Sequence, residues 1–146
     1  MKKTWWLLSL IAILMACEVK PQEIDYGHDA CHFCQMTIVD TQHAAELVTT
    51  KGKSFKYDAI ECMLNDLQHW DEAPVKLYLV ADYGQPKLLI DATKAHYLIS
   101  ESIPSPMGAF LSAFESQPMR NQTLSTEGGE AYDWQSLQEN FDLKTQ

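Results

Sequence analysis

Hydrophobic and polar positions recur along this chain in patterns that predict short elements separated by clear punctuation. Residues 44–50 and 53–57 are strand-like runs on either side of Lys51-Gly52, a hairpin signature. Ile60, Met63, Leu64, Leu67 and Trp70 then recur at helical spacing, which predicts a helix over 59–70 with one buried face. Asp58, with Glu61 three residues later, has the form of a capping box at its start, and Pro74 bounds its end. Residues 75–81 and 87–91 flank Tyr83-Gly84-Gln85-Pro86 as a second hairpin, and 96–99 adds a strand.

The last third repeats part of this grammar. A strand-like stretch ends in Tyr57-Asp58 before the first helix, and another ends in Tyr132-Asp133 before a helix over 134–141, each Asp being placed to cap the helix after it. Upstream of each Tyr-Asp lies a methionine, Met36 in one half and Met107 in the other. If the halves are equivalent, the two thioethers can converge on one site. The expectation is an α+β fold of two small ββα-type units, roughly 30–73 and 74–146.

The first residues obey different rules. Lys2 and Lys3 precede an apolar run over 5–15, broken only by Ser9 and far too short to span a bilayer. This is the form of an export signal, and Leu14-Met15-Ala16-Cys17 resembles the cleavage site of a bacterial lipoprotein. On that resemblance residues 1–16 are removed, Cys17 carries the lipid, and polar residues 17–29 form a flexible tether from the membrane. The mature chain keeps 9 of its basic residues against 20 acidic ones, a formal charge of −11. Such a surface repels nucleic acid and anionic headgroups, so membrane attachment rests on the lipid.

Lipidation also changes the cysteine arithmetic, leaving Cys31, Cys34 and Cys62. An odd number of thiols in an oxidising compartment argues against a disulfide scaffold and for a reactive or ligating thiol. Cys31-His32-Phe33-Cys34-Gln35-Met36 sets two thiols and a thioether close together, and soft sulfur donors select Cu(I). In an extended segment Cys34 and Met36 share a face and Cys31 points away; a tight turn brings the two thiols together instead. Cys62 falls off the apolar stripe of its helix, near the end where the dipole favours thiolate. Met63 belongs to the core, and Met119 lies in a polar setting between Pro118 and Arg120. Met107, within Ser105-Pro106-Met107-Gly108, is displayed on a turn. His28 and His32 lie near the thiols, whereas His43, His69 and His96 have no sulfur neighbours in sequence.

Taken together, Leu14-Met15-Ala16-Cys17, His32-Phe33-Cys34-Gln35-Met36, the strand with Tyr57-Asp58 and its helix, Ser105-Pro106-Met107-Gly108, and Gly128-Gly129 before Tyr132-Asp133 resemble the NosL family. These are copper-binding lipoproteins accessory to nitrous-oxide reductase. The resemblance implies two ββα-type units related to the organomercurial lyase fold, and a non-enzymatic protein that delivers Cu(I) for the copper-sulfide centre of that reductase. It implies Cys34, Met36 and Met107 as ligands, with Cys31, Cys62 and His32 as further candidates, and a lipid-anchored position facing the periplasm. Many relatives have glycine where this chain has Cys31, which leaves the ligand count open and keeps zinc as an alternative metal. Three other readings compete, one of them an organomercurial-type lyase suggested by fold analogy alone. Cys31 and Cys34 form the spacing of a thiol-disulfide oxidoreductase, although no thioredoxin-type βαβ context surrounds them. A structural zinc site would close around four ligands, such as the three cysteines and a histidine.

Overall fold

In the computed structural model, which describes residues 18–144 with side chains through Phe141, the first hairpin forms as β1 (Ala45–Thr49) and β2 (Ser54–Tyr57). They pair antiparallel, Ala45 opposite Tyr57 and Val48 opposite Ser54. The second hairpin, β3 (Val75–Asp82) and β4 (Gln85–Asp91), joins them in one antiparallel sheet of order β2-β1-β3-β4. β1 is interior to this sheet, and all five of its residues are buried. A second sheet of order β6-β5-β7 contains β5 (His96–Ile99), β6 (Leu111–Phe114) and β7 (Glu130–Tyr132). With α1 (Ile60–Leu67), α2 (Gln117–Glu127) and α3 (Trp134–Lys144), the protein is α+β, as the patterning predicts. Because β1 pairs with β3, the first sheet crosses the expected half-unit boundary at residue 74.

One core serves both sheets. Tyr57, Ile60 and Met63 meet Tyr97, Leu111 and Leu137 in a single buried cluster. β6 and α2 were not evident from the pattern, for opposite reasons. All four residues of β6 are buried, so it shows no alternation, whereas Arg120 is the one buried residue of α2. The local signals for α2 are Ser116, whose hydroxyl faces the Met119 amide, Pro118 in the first turn and Gly128 at the end.

The two Tyr-Asp sequences behave differently. Asp133 caps α3 as expected, its Oδ1 accepting from the Ser136 amide at 2.8 Å and hydroxyl at 2.7 Å. Asp58 does not cap α1: the N-cap is Ala59, with no side-chain hydrogen bond. The Asp58 carboxyl is instead buried and accepts from the Val39 amide, and Glu61 turns away from its own helix. α1 also stops at Leu67, short of Trp70, whose indole donates to the Ala73 carbonyl at 3.0 Å and packs edge-on against Phe55.

The expected signal at 1–16 and Cys17 lie outside the described residues. Within the polar segment after them, Gln22 donates its amide to Glu46 at 2.7 Å, Ile24 is buried, and the Gly27 amide bonds the Ile38 carbonyl at 2.8 Å. Lys56 reaches across to the Glu23 carbonyl and the Asp29 carboxylate, both at 2.6 Å. No helix among the described residues is long and apolar enough to cross a membrane.

Gly129, just before β7, has φ +111, and a Cβ there would lie 2.2 Å from the Ile99 carbonyl oxygen. Gly52 is also left-handed, at φ +80, but has open space around it. Gly52→Ala should therefore cost only the conformational term of about 1–2 kcal/mol. Gly129→Ala should cost clearly more, read as a larger drop in chemical-denaturation midpoint; equal drops would contradict the close packing at β7.

Candidate metal centre

The Cys31 segment is a turn. The Ala30–Thr37 bridge closes it, the Cys31 amide bonds the Met36 carbonyl at 2.8 Å, and the Gln35 amide bonds the Cys31 carbonyl at 3.0 Å. Gln35 takes φ 64, the left-handed conformation that lets the chain reverse, and its side-chain amide donates to the His32 carbonyl at 2.6 Å. The His32 amide bonds the Lys56 carbonyl at 2.8 Å, which fastens the turn to β2. This geometry settles the open orientation of the two thiols. Cys31, Cys34 and Cys62 are free, and their sulfurs lie within 4.8 Å of one another.

Burial and hydrogen bonding make the three sulfurs unequal. Cys31 is fully buried and accepts the Cys62 thiol, the Asp58 and Cys34 amides, and the Cys34 thiol. The Cys62 donor is the largest of these effects, and together they hold Cys31 well below the ordinary thiol range despite burial. Cys62 is pushed up because it is the partner that keeps its proton to donate, with burial adding to the effect. Cys34 is half-buried and also shifted up, chiefly by desolvation. The helix dipole predicts a thiolate at Cys62, whereas the hydrogen bonds favour it at Cys31. Cys62 is also not surface-facing, since the Cys31 turn covers it to 1% exposure.

The remaining candidates differ in access. Met36, two residues after Cys34, donates its amide to the Cys34 sulfur and is itself 54% exposed. Met107 is 44% exposed on its turn, as expected. His32 is not drawn into the sulfur group. Its ring packs edge-on against Phe55 at 4.7 Å and Tyr57 at 6.3 Å, with Nε2 3.9 Å from an Asp66 oxygen that already accepts from Tyr57. His28 lies at the surface against Asp25. Met63 is wholly buried, and Met119 lays its sulfur over Gly84, where a Cβ would come within 2.3 Å.

A second constellation resembles a catalytic one without being usable as such. Asp40 Oδ2 meets His43 Nδ1 at 3.0 Å, and His43 Nε2 meets Ser112 Oγ at 3.2 Å. Serine, histidine and carboxylate in line are the parts of a nucleophilic triad, but a nucleophile must face substrate. Ser112 is fully buried, so the line serves as a polar brace between the loop before β1 and β6. The open cleft lined by Glu23, Ile24, Asp25, Tyr26, Lys87 and Leu89 shares no residue with the thiol group.

A NosL family model matches residues 21–141, nearly the whole of the fold and all three thiols. The chain belongs to the NosL family. Its fold matches the crystal structure of the copper chaperone NosL from Shewanella denitrificans, with a TM-score of 0.69 and 22% identity over 81% of this chain and 95% of that one. No curated protein sequence matches the chain. The buried thiol at position 31 was legible as a residue but not as the hub of the cluster, because its strongest donor comes from a helix 31 positions away at Cys62.

The depressed Cys31 pKa has a stability consequence with a definite sign. Its folded value lies below its unfolded one, so the thiolate contributes stability that is fully present above about 9 and is lost as the pH falls through about 5. Reduced, metal-free protein should show one thiolate absorbance step near pH 5, and Cys62→Ala should move it upward by removing the strongest donor. Three thiols titrating together near the ordinary value would contradict the assignment.

Proposed function

We propose that this NosL-family chain is a Cu(I) chaperone that hands its metal to nitrous-oxide reductase, or to the machinery assembling that enzyme's copper-sulfide centre. The observation that carries the reading is the convergence of three thiol sulfurs within 4.8 Å, with the exposed Met36 two residues on from Cys34. Thiolate and thioether donors favour Cu(I) over the harder ions of biological fluids. The protein of like fold from Shewanella denitrificans is itself a copper chaperone.

The gradient of exposure suits transfer. Cys31 and Cys62 are at 0% and 1% exposure, Cys34 is half-buried, and Met36 and Met107 stand at 54% and 44%. Donors near the surface can exchange for a partner's ligands one at a time while deeper sulfur retains the ion. Copper keeps its oxidation state throughout, and loading releases only the protons of the thiols that bind it. We assign Cys34, Met36 and Met107 to this exchange, with Cys31 and Cys62 as the buried anchor of the set. The reading is transfer without turnover. A closed structural zinc site takes four ligands, and the group found here has three cysteines.

Attachment accords with the same reading: a lipid on Cys17 holds the domain at the membrane, facing the periplasm. With a formal charge of −9 for the full chain, electrostatics favour a basic face on the receiving partner over nucleic acid.

Reduced protein titrated with Cu(I) against a chromophoric chelator should bind about one ion tightly. Cys34→Ala should weaken that binding most, and Met36→Ala and Met107→Ala should each weaken it less. Tight binding that needs the cysteines yet ignores both methionines would overturn the thioether assignments. Copper that never moves from loaded protein to copper-free reductase or its assembly factors would overturn the client.

A further inference from the structure

We infer that Glu61 is the positioning residue for the Met107 thioether: its buried carboxylate clasps the 105–110 loop onto the first turn of α1, one residue before Cys62. The inference rests on the reading of Met107 as a copper donor. Glu61 is only 2% exposed, and its Oε1 accepts from the Ser105 hydroxyl at 2.5 Å and the Ala109 amide at 3.3 Å. The Ser105 hydroxyl oxygen in turn accepts from the Phe110 amide at 2.9 Å. In the capping box its spacing from Asp58 suggests, this carboxylate would turn back to its own helix start. This one crosses 44 residues of sequence to hold a loop, and its other oxygen, Oε2, has no hydrogen-bond partner among the described residues. Burying such a group is costly unless its bonds secure something.

What they secure is a bent segment. The Gly108 amide bonds the Ser105 carbonyl at 3.0 Å, closing a turn over Pro106-Met107. Gly108 and Phe110 both take left-handed backbone, at φ 76 and 58. Left-handed phenylalanine persists only where surrounding contacts over-determine it, and the Phe110 amide is held by the same Ser105 hydroxyl that donates to Glu61. The Cys31 turn is fastened to the same stretch of chain, because its sulfur accepts the Asp58 amide. Residues 58–62, the approach to α1 and its first turn, therefore gather the thiol loop through Asp58, the methionine loop through Glu61, and the third thiol at Cys62. An α-helical turn rises only about 5.4 Å. Glu61 is assigned no contact with the sulfurs or with a metal; it acts by where it keeps Met107.

The test is a cycle on the full reduced chain. Glu61→Ala should weaken Cu(I) binding by roughly 10–100-fold, the range for groups that orient metal ligands. In a Met107→Ala background it should weaken binding no further. Glu61→Gln should restore near-native affinity, since the amide oxygen still accepts from Ser105 and Ala109. Ser105→Ala, which removes one hydroxyl and no buried charge, should reproduce part of the loss if Glu61→Ala folds poorly. The direct readout is the Met107 methyl resonance in methyl-labelled protein, which should shift on Cu(I) addition in the unsubstituted chain and shift less in Glu61→Ala. A Met107 methyl that responds fully in Glu61→Ala, or losses that add across the cycle, would overturn the clasp alone. A methyl that never responds, even in the unsubstituted chain, would overturn the donor reading and the clasp with it.

Discussion

A sulfur atom buried in its charged form needs donors on several sides, and those of Cys31 come from two parts of the chain. The Cys62 thiol and the Asp58 amide approach from α1 and its approach, and the Cys34 amide and thiol from the turn itself. Much of the local architecture answers to that requirement. The turn must reverse tightly enough to aim its own amide inward, hence a left-handed Gln35. The chain entering α1 must offer its backbone to sulfur, so Asp58 is spent as an amide donor and its carboxyl is left buried, shifted upward mainly by desolvation. Buried polar groups of this kind stay in a core only when they are satisfied or functional.

Legibility in the sequence tracked periodicity. β1 to β4, α1 and α3 carry strand alternation, glycine turns or an apolar stripe, and they form near where the pattern puts them, with α1 ending early at Leu67 and β4 beginning at Gln85 inside the expected turn. β6 has no alternation because both its faces are covered, and α2 has almost no apolar face to read. The site was legible as chemistry more than as geometry. Met63 on the stripe is core, as its spacing says. Cys62, off the stripe, is also buried, because a helix's own spacing cannot reveal that a distant loop will cover its other side. The same holds for Glu61, whose spacing from Asp58 reads as a local cap while its partner lies in another hairpin connection.

The contrast between the Asp40-His43-Ser112 line and the three thiols separates arrangement from access. The first has the hydrogen-bond order of a hydrolytic triad and is closed over, tying two sheets together. The second has graded access, from fully buried Cys31 to half-buried Cys34, with the candidate donors Met36 and Met107 half-exposed. Chemistry that moves an ion between proteins needs that gradient; a brace does not.

Lys56 gives the N-terminal segment a mechanical meaning. Its side chain holds the Glu23 carbonyl and Asp29, while its backbone carbonyl holds the His32 amide of the thiol turn. Only residues 18–21 separate Cys17 from Gln22, the first of the pinned positions, a leash of at most about 18 Å when fully extended. With the proposed lipid on Cys17, the domain would skim the bilayer as a nearly two-dimensional carrier. A receiving protein would then have to present its copper port within that same thin layer.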